Sequence, residues 1–479
     1  MITGNDLITW GFPTNAGEAF GAALSLAQEL EASGAPLDDI KTSVFGLVPK
    51  SKIEMKSTPY SWNEAIVAEN DYDLENIKKV REVMSQLMTC PAIKRGAVMP
   101  DACPAGSQWG TIPVGGAIEV DNAIIPASHS ADVCCSMYVS FFQDDRTPKR
   151  ILDSLQRHTH FGAGGRRNGE FIHHPVIDAL DENNRFLSGL GTIAAAHMGT
   201  QGDGNHFAYL GEIEITPSFI EDLIDAGYES DAYVFEHYVN EKLYALVTHH
   251  GSRALGAHVY RRGIDTAQRL TNKIAKDVPK TCAWIPYDTD EGKEYWDALQ
   301  YIREWTKINH EVIHGRVVGN RSIHTYFNEH NFVWKRGDSF YHGKGATPAW
   351  DRRIGIIPLN MASPILLVIG KDNDDFLSFA PHGAGRNVSR TETLRPYMKE
   401  NGERDELAIS KAVAKQTEHL DIRWYSGEAD LSETPMGYKS AAQIKDQINY
   451  FDLATVTAEI TPLGCMMAGH VEPFWRKKK

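Results

Sequence analysis

Apolar positions recur at the three- and four-residue spacing of an amphipathic helix in GEAFGAALSLAQELEAS (17 to 33) and in DLENIKKVREVMSQLM (73 to 88). The same period predicts helices over 147 to 158, 216 to 227, 258 to 277, 294 to 313 and 403 to 420. Between 96 and 140 the pattern shortens to β-rich pieces cut by Gly, Pro, Asn and Asp, as in GTIPVGGAIEVDNAIIPAS, and predicts strands joined by tight turns. ASPILLVIG (362 to 370) reads as a buried strand. Strands and helices mix without a steady βαβ alternation, so the fold class is α+β, with mixed sheets and surrounding helices. No internal repeat and no Pro/Ser-rich linker divides the chain. The simplest organisation is an N-terminal extension, residues 1 to 74, packed on one large domain, residues 75 to 479.

Composition narrows the class. Hydrophobic residues make up 42% of the chain and charged residues 23%, the balance of a folded globular protein. No run of about 18 uncharged apolar residues occurs, and MITGNDLITWGF lacks the basic-then-apolar build of a signal peptide. A cytoplasmic protein with no membrane partner is expected. Six cysteines at irregular positions fit reduced thiols better than a disulfide framework. A net charge of -14 excludes a surface coated for sequence-independent binding to long nucleic acid, which needs many Lys and Arg contacts to phosphate. It leaves room for a local basic pocket, to which Arg166 and Arg167, Arg253, Arg352 and Arg353, Arg386 and Arg390 are candidate contributors. The terminal RKKK reads as a solvated end. Neither GxGxxG nor GxxxxGK[ST] occurs, which argues against a Rossmann or P-loop nucleotide site.

The chemistry-bearing residues cluster in turn-rich sequence: MPDACPAG, SADVCCSM, GTQGDGNHFAYL, THHGSRALG, EHNF, HGKGAT and PHGAGRNVSR. Asp132, one of Cys134 and Cys135, His206, His249 or His250, and His330 would supply a carboxylate, a thiolate and three imidazoles. That is enough for one or two divalent ions. A strand would put Asp132 and Cys134 on one face; a helical turn would put Asp132 and Cys135 there. The spacing leaves both open. In HGAGR, Gly383, Ala384 and Gly385 let backbone N–H groups approach an oxyanion, and Arg386 or Arg390 can add charge-assisted bonds to phosphate. His382 could then attack phosphorus and form a phosphoramidate. Arg253 and Lys344 could clamp phosphates.

Taken in order, MPD, ADVCC, GDGNHF, HHGSRALG, EHNF, HGKGAT and HGAGRNVSR resemble the RtcB family of GTP-dependent RNA-splicing ligases, from about residue 75 to the C-terminus. The resemblance implies a large α+β fold particular to that family. It implies joining of RNA ends bearing a 2',3'-cyclic phosphate or 3'-phosphate to ends bearing a 5'-hydroxyl, with GTP and two Mn(II) ions as cofactors. Matched position by position, Cys135 would bridge both metals, Asp132 and His206 would complete one site, and His249 and His330 the other. His249 is chosen over His250 because HHGSR aligns with the family's HSGSR. His382 matches the histidine that becomes guanylylated. Asn205, His206, Phe207, Ala208 and Tyr209, with His330 and Asn331, match segments lining the GMP site. So do Pro358, Leu359, Asn360 and Met361, and His382 to Gly385 (Gly383, Ala384, Gly385). Arg253 and Arg390 match positions expected to meet RNA phosphates. Archease and a release-factor-like protein are the partners the resemblance suggests.

The chain also departs from the pattern. Cys103 replaces the histidine of MPDxHxG, and Cys134 and Ser136 replace the glycines flanking the bridging cysteine. PLNM (358 to 361) replaces PGSM, Ile365 replaces a serine, and Met467 stands where a guanine-contacting lysine is expected. The five metal ligands and the nucleophile are retained. The sequence therefore reads as a divergent bacterial paralogue suited to RNA repair. Two alternatives share its residues: a metal-dependent phosphoesterase that opens cyclic phosphates without sealing, and an inactive RNA-binding module.

Overall fold

The computed structural model describes residues 1–14, 16–48, 53–106 and 108–471; the terminal RKKK lies outside them. The chain forms two compact units, one of residues 1–54 with 272–277, the other of 55–271 and 278–479. In the smaller unit, helices Gly4–Thr9, Glu18–Ala32 and Leu37–Phe45 enclose a core of Leu7, Phe12, Ala23, Ala27, Ile40 and Val44. Ala23 and Ala27 are one helical turn apart and face that core, as the 17 to 33 pattern requires.

In the larger unit the helices fall where the periodicity puts them, and side-chain caps adjust the ends. The 73 to 88 pattern becomes Asp71–Leu87 because Asn70 accepts the Asp73 backbone N–H. The 294 to 313 pattern becomes the 28-residue helix Asp290–Val317, capped by Thr289 on the Gly292 N–H. The 258 to 277 expectation is displaced: the helix runs Arg253–Thr271. Its end is tied down where the Thr271 hydroxyl donates to the Trp284 carbonyl at 3.0 Å and accepts the Trp284 N–H at 2.9 Å.

Two sheets carry the unit. Five strands order as Trp62–Glu64, Ile93–Cys103, Val114–Asp121, Ser339–Lys344 and Asn331–Arg336. The larger sheet orders as Ser322–Glu329, Ser136–Phe142, Lys242–His250, Phe207–Glu214, Ala454–Met467, Ile365–Gly370 and Ile354–Pro358, with Asp421–Trp424 parallel to Ala454–Met467. Ala454–Met467 pairs with Ile365–Gly370 through its first half and with Phe207–Glu214 through its second. The register shifts between Pro462 and Gly464, where a proline without an N–H cannot continue the ladder.

Ser136–Phe142 is buried along its whole length and alternates between two environments. Met137, Val139 and Phe141 join the main core, whereas Ser136 and Ser140 face the long helix. There Ser136 meets His310 at 3.1 Å, Ser140 meets His314 at 2.8 Å, and Thr248 lies 2.7 and 2.8 Å from the two rings. Burial drives both imidazoles far toward the neutral form, His314 down to about 3. These histidines tie the helix to the sheet. Among the described residues, no helix is long and apolar enough to cross a membrane.

Candidate active site

Four neighbouring antiparallel strands bring their ligand-bearing ends to one edge of the larger sheet. Cys135 precedes Ser136–Phe142, His330 follows Ser322–Glu329, His249 sits one residue from the end of Lys242–His250, and His206 precedes Phe207–Glu214. Registers of Ser136 with Glu329, Met137 with His249, and Phe207 with His249 hold these ends level. The turn-rich reading of GDGNHFAYL and THHGSR is thus half right: the glycines turn, and the histidines sit on strands or at their mouths. Period-two alternation also separates the adjacent histidines. His249 faces the cluster. His250 faces the helix, stacked on His310 with ring centroids 3.5 Å apart.

A turn resolves the choice that spacing leaves open in ADVCC. Cys135 donates its backbone N–H to the Asp132 carbonyl at 3.2 Å, and Cys134, the third residue, has φ +59°. This is where a glycine sits most easily, and a side chain there costs about 1–2 kcal/mol. Cys134 is buried, its thiol pushed well up by burial and by Glu329, and it belongs to neither of the ligand sets described below.

Within the cluster, Cys135 Sγ lies 3.1 Å from His249 Nε2 and 3.5 Å from His206 Nε2. His206 Nε2 lies 2.9 Å from Asp132 Oδ2, and His249 Nε2 lies 3.1 Å from His330 Nε2. Two donor sets emerge, Asp132–Cys135–His206 and Cys135–His249–His330, each within 4.8 Å and sharing the thiol. Ligands about 2.0–2.3 Å from one tetrahedral ion stand about 3.3–3.7 Å apart, close to these separations. The Asn205 carbonyl, 3.1 Å from His249 Nδ1, fixes the proton there and leaves Nε2 with its lone pair. Burial, with His206 and His382 nearby, lowers His249 to about 3, so the ring is neutral and able to ligate. The residues fit a pair of divalent transition-metal ions.

Burial opposes the charge on Asp132, but His206 and Arg253 outweigh it and hold the carboxyl low. The Cys135 thiol is pushed well up by burial and by Asp132. Metal loading must therefore displace a thiol proton, so affinity is expected to weaken as pH falls. Calorimetric titration with Mn(II) in buffers of different ionisation enthalpy reads that proton; heats independent of buffer would contradict it.

Beside the cluster a cavity of about 300 Å³ is lined by His382, Gly383, Ala384 and Gly385, by Asn205, Phe207, Tyr209, His330 and Asn331, and by Pro358 to Met361. The rings of His330 and His382 are 4.9 Å apart. Ala208 does not contribute its side chain: one residue along the strand, it turns to the other face and packs with Leu210 and Leu246. Arg390 lines the cavity with its Nε 2.7 Å from buried Glu433. Arg253, at φ +58°, lies off the lining with Nη1 3.3 Å from His206 Nδ1.

Asp101 is the functional residue that the motif MPD flagged without a role. Fully buried, it accepts from His382 Nδ1 at 2.5 Å and from the His382 backbone N–H at 3.2 Å. Lys439 donates to the carbonyls of Pro100 and Ala102, on either side of it. Gly385, at φ +70°, passes so close that a Cβ would fall 2.1 Å from the Asp101 carbonyl. The second glycine of HGAGR is therefore a packing requirement as well as a turn.

A model of the family described as tRNA-splicing ligase RtcB matches residues 182–468. The chain belongs to the RtcB family. It is 27% identical to the RNA-splicing ligase RtcB of Escherichia coli (strain K12) over 387 residues, covering 72% of this chain and 84% of the relative. It is 22% identical to the tRNA-splicing ligase RtcB of Aeropyrum pernix, covering 84% and 94%. The RNA-splicing ligase RtcB of Mycobacterium tuberculosis is 24% identical over 319 residues. Cys103, Ile365 and Met467 all line the cavity.

Proposed function

We propose that this chain is an RNA ligase that joins 2',3'-cyclic phosphate or 3'-phosphate ends to 5'-hydroxyl ends through a histidine–GMP intermediate, acting in cytoplasmic RNA repair. The observation that carries the reading is His382, oriented by a buried carboxylate and facing one cavity with a two-set ligand cluster.

With Nδ1–H donated to Asp101, His382 keeps its lone pair on Nε2. Attack by Nε2 on the α-phosphorus of GTP forms an N–P bond and breaks the P–O bond to pyrophosphate. Positive charge grows on the imidazole as it does so, and Asp101 offsets it. The RNA 3'-phosphate then takes the nucleotide from Nε2, and the 5'-hydroxyl attacks that activated phosphorus and expels GMP. A cyclic phosphate must be opened by water first.

Asp132, Cys135, His206, His249 and His330 would hold two Mn(II) ions, which supply Lewis-acid neutralisation of phosphate charge. An imidazole that ligates through Nε2 carries its proton on Nδ1, so His206 in that state offers Arg253 no acceptor. Arg253 then keeps Nη2 on the Gly162 carbonyl and can turn Nη1 to RNA phosphates, with Arg390 on the cavity wall. An archease-like or release-factor-like activator is a candidate partner.

Asp101→Asn is expected to slow adduct formation by about a hundredfold or more, since an amide can donate to Nδ1 and set the wrong tautomer. Labelling with GTP carrying 32P at the α-phosphate checks this. A rate within a few-fold of wild type would remove Asp101 from the mechanism.

A further inference from the structure

Antiparallel pairing sets Phe207 opposite Met467 and Tyr209 opposite Cys465, so these four side chains share one face of the sheet. Ile365, from the next strand, and Met361 line the same cavity and belong with Tyr209, Cys465 and Met467 to one apolar cluster. On its other side Phe207 is opposite His249, with the rings 5.2 Å apart. The apolar floor therefore begins one ring away from the ligand cluster. His382 lines the same cavity, so this floor is open to the base of a nucleotide held there.

The floor carries no charged side chain among the described residues. Tyr209 spends its hydroxyl on the Ile460 carbonyl, 2.9 Å away. The charged groups of the cavity are engaged elsewhere. Asp132 is in the ligand cluster, Lys344 donates to the Ile112 carbonyl, and Arg386 and Arg390 pair with Glu433. Guanine is singled out from adenine by N1–H, N2–H₂ and O6, which call for an acceptor pair and a donor. A surface of Phe, Tyr ring, Ile, Met and Cys atoms offers dispersion and stacking that either purine satisfies.

We propose that the nucleotide site of this chain selects a purine by stacking and shape, accepting ATP about as well as GTP, with Met467 as the residue that removes guanine selectivity. The inference rests on the nucleotide transfer proposed above. Sites that hydrogen-bond a polar group reject analogues by about 10⁴–10⁵, whereas apolar pockets discriminate far less.

The test uses the full chain with Mn(II) and, separately, the four ribonucleoside triphosphates labelled at the α-phosphate, measuring the rate of acid-labile adduct formation against concentration. Labelling efficiencies for GTP and ATP are expected to agree within about tenfold. Met467→Lys is expected to raise the GTP-to-ATP ratio, because an ammonium among these apolar atoms can donate to O6 of guanine, whereas adenine presents a donor, its N6 amino group, at the same ring position. A larger wild-type preference for GTP overturns the inference and leaves the transferase reading intact. An unchanged ratio in a Met467→Lys protein that still takes label overturns the role given to Met467. No label from any triphosphate overturns both.

Discussion

His382→Ala is expected to lower nucleotide-adduct formation by at least about a thousandfold while the protein remains folded. Among the described residues, the imidazole is the one group placed both to attack phosphorus in the cavity and to be oriented by Asp101. Truncation also strips buried Asp101 of its side-chain donor, which costs stability on the order of 1–3 kcal/mol. His382→Asn separates the two effects: its amide can still donate to Asp101, yet it has no nucleophilic ring nitrogen. Both variants should lose label from α-phosphate-labelled GTP, and the asparagine variant should keep more of its thermal stability. Label persisting in either would move the nucleophile elsewhere.

Cys135→Ala is expected to remove both metal ions, because its sulfur belongs to each donor set. Loss of a ligand that both donor sets share should weaken binding by more than the about 10–100-fold typical of an outer-shell partner. Elemental analysis of the dialysed protein, loaded with Mn(II), should fall from two ions per chain toward none, with adduct formation lost alongside. Cys134→Gly should keep both ions, since Cys134 occupies the left-handed corner of the turn and glycine enters that conformation freely. The reverse pair of outcomes would show that the wrong cysteine has been placed in the site.

The candidate residues were legible as short-range signals, glycines, histidines and an aspartate packed into seven brief motifs, but it was the resemblance to a family that gave each of them a role. Geometry was less legible. Spacing alone left Cys134 and Cys135 equal, because neither a strand nor a helical turn describes 132 to 135; the segment is a turn whose third residue has positive φ. Spacing also left His249 and His250 equal; the resemblance chose His249, and the strand Lys242–His250, which the glycine-rich flank of THHGSR concealed, supplies the physical reason. Helix existence followed from apolar period, but the limits shifted with caps such as Thr289 and with the tertiary tie at Thr271. Asp101 and Glu433 escaped assignment for a common reason. Each acts through a partner distant in sequence, His382 for one and Arg390 for the other, and no local pattern announces such a pairing.

The central claim is that nucleotide on His382 is spent on joining RNA ends. Wild-type protein carrying labelled nucleotide, freed of triphosphate, is mixed with two RNA strands, one ending in a 3'-phosphate and the other beginning with a 5'-hydroxyl. The account predicts one phosphodiester formed for each nucleoside monophosphate released. Release of the nucleotide without joining, or an adduct that the RNA leaves untouched, would contradict it.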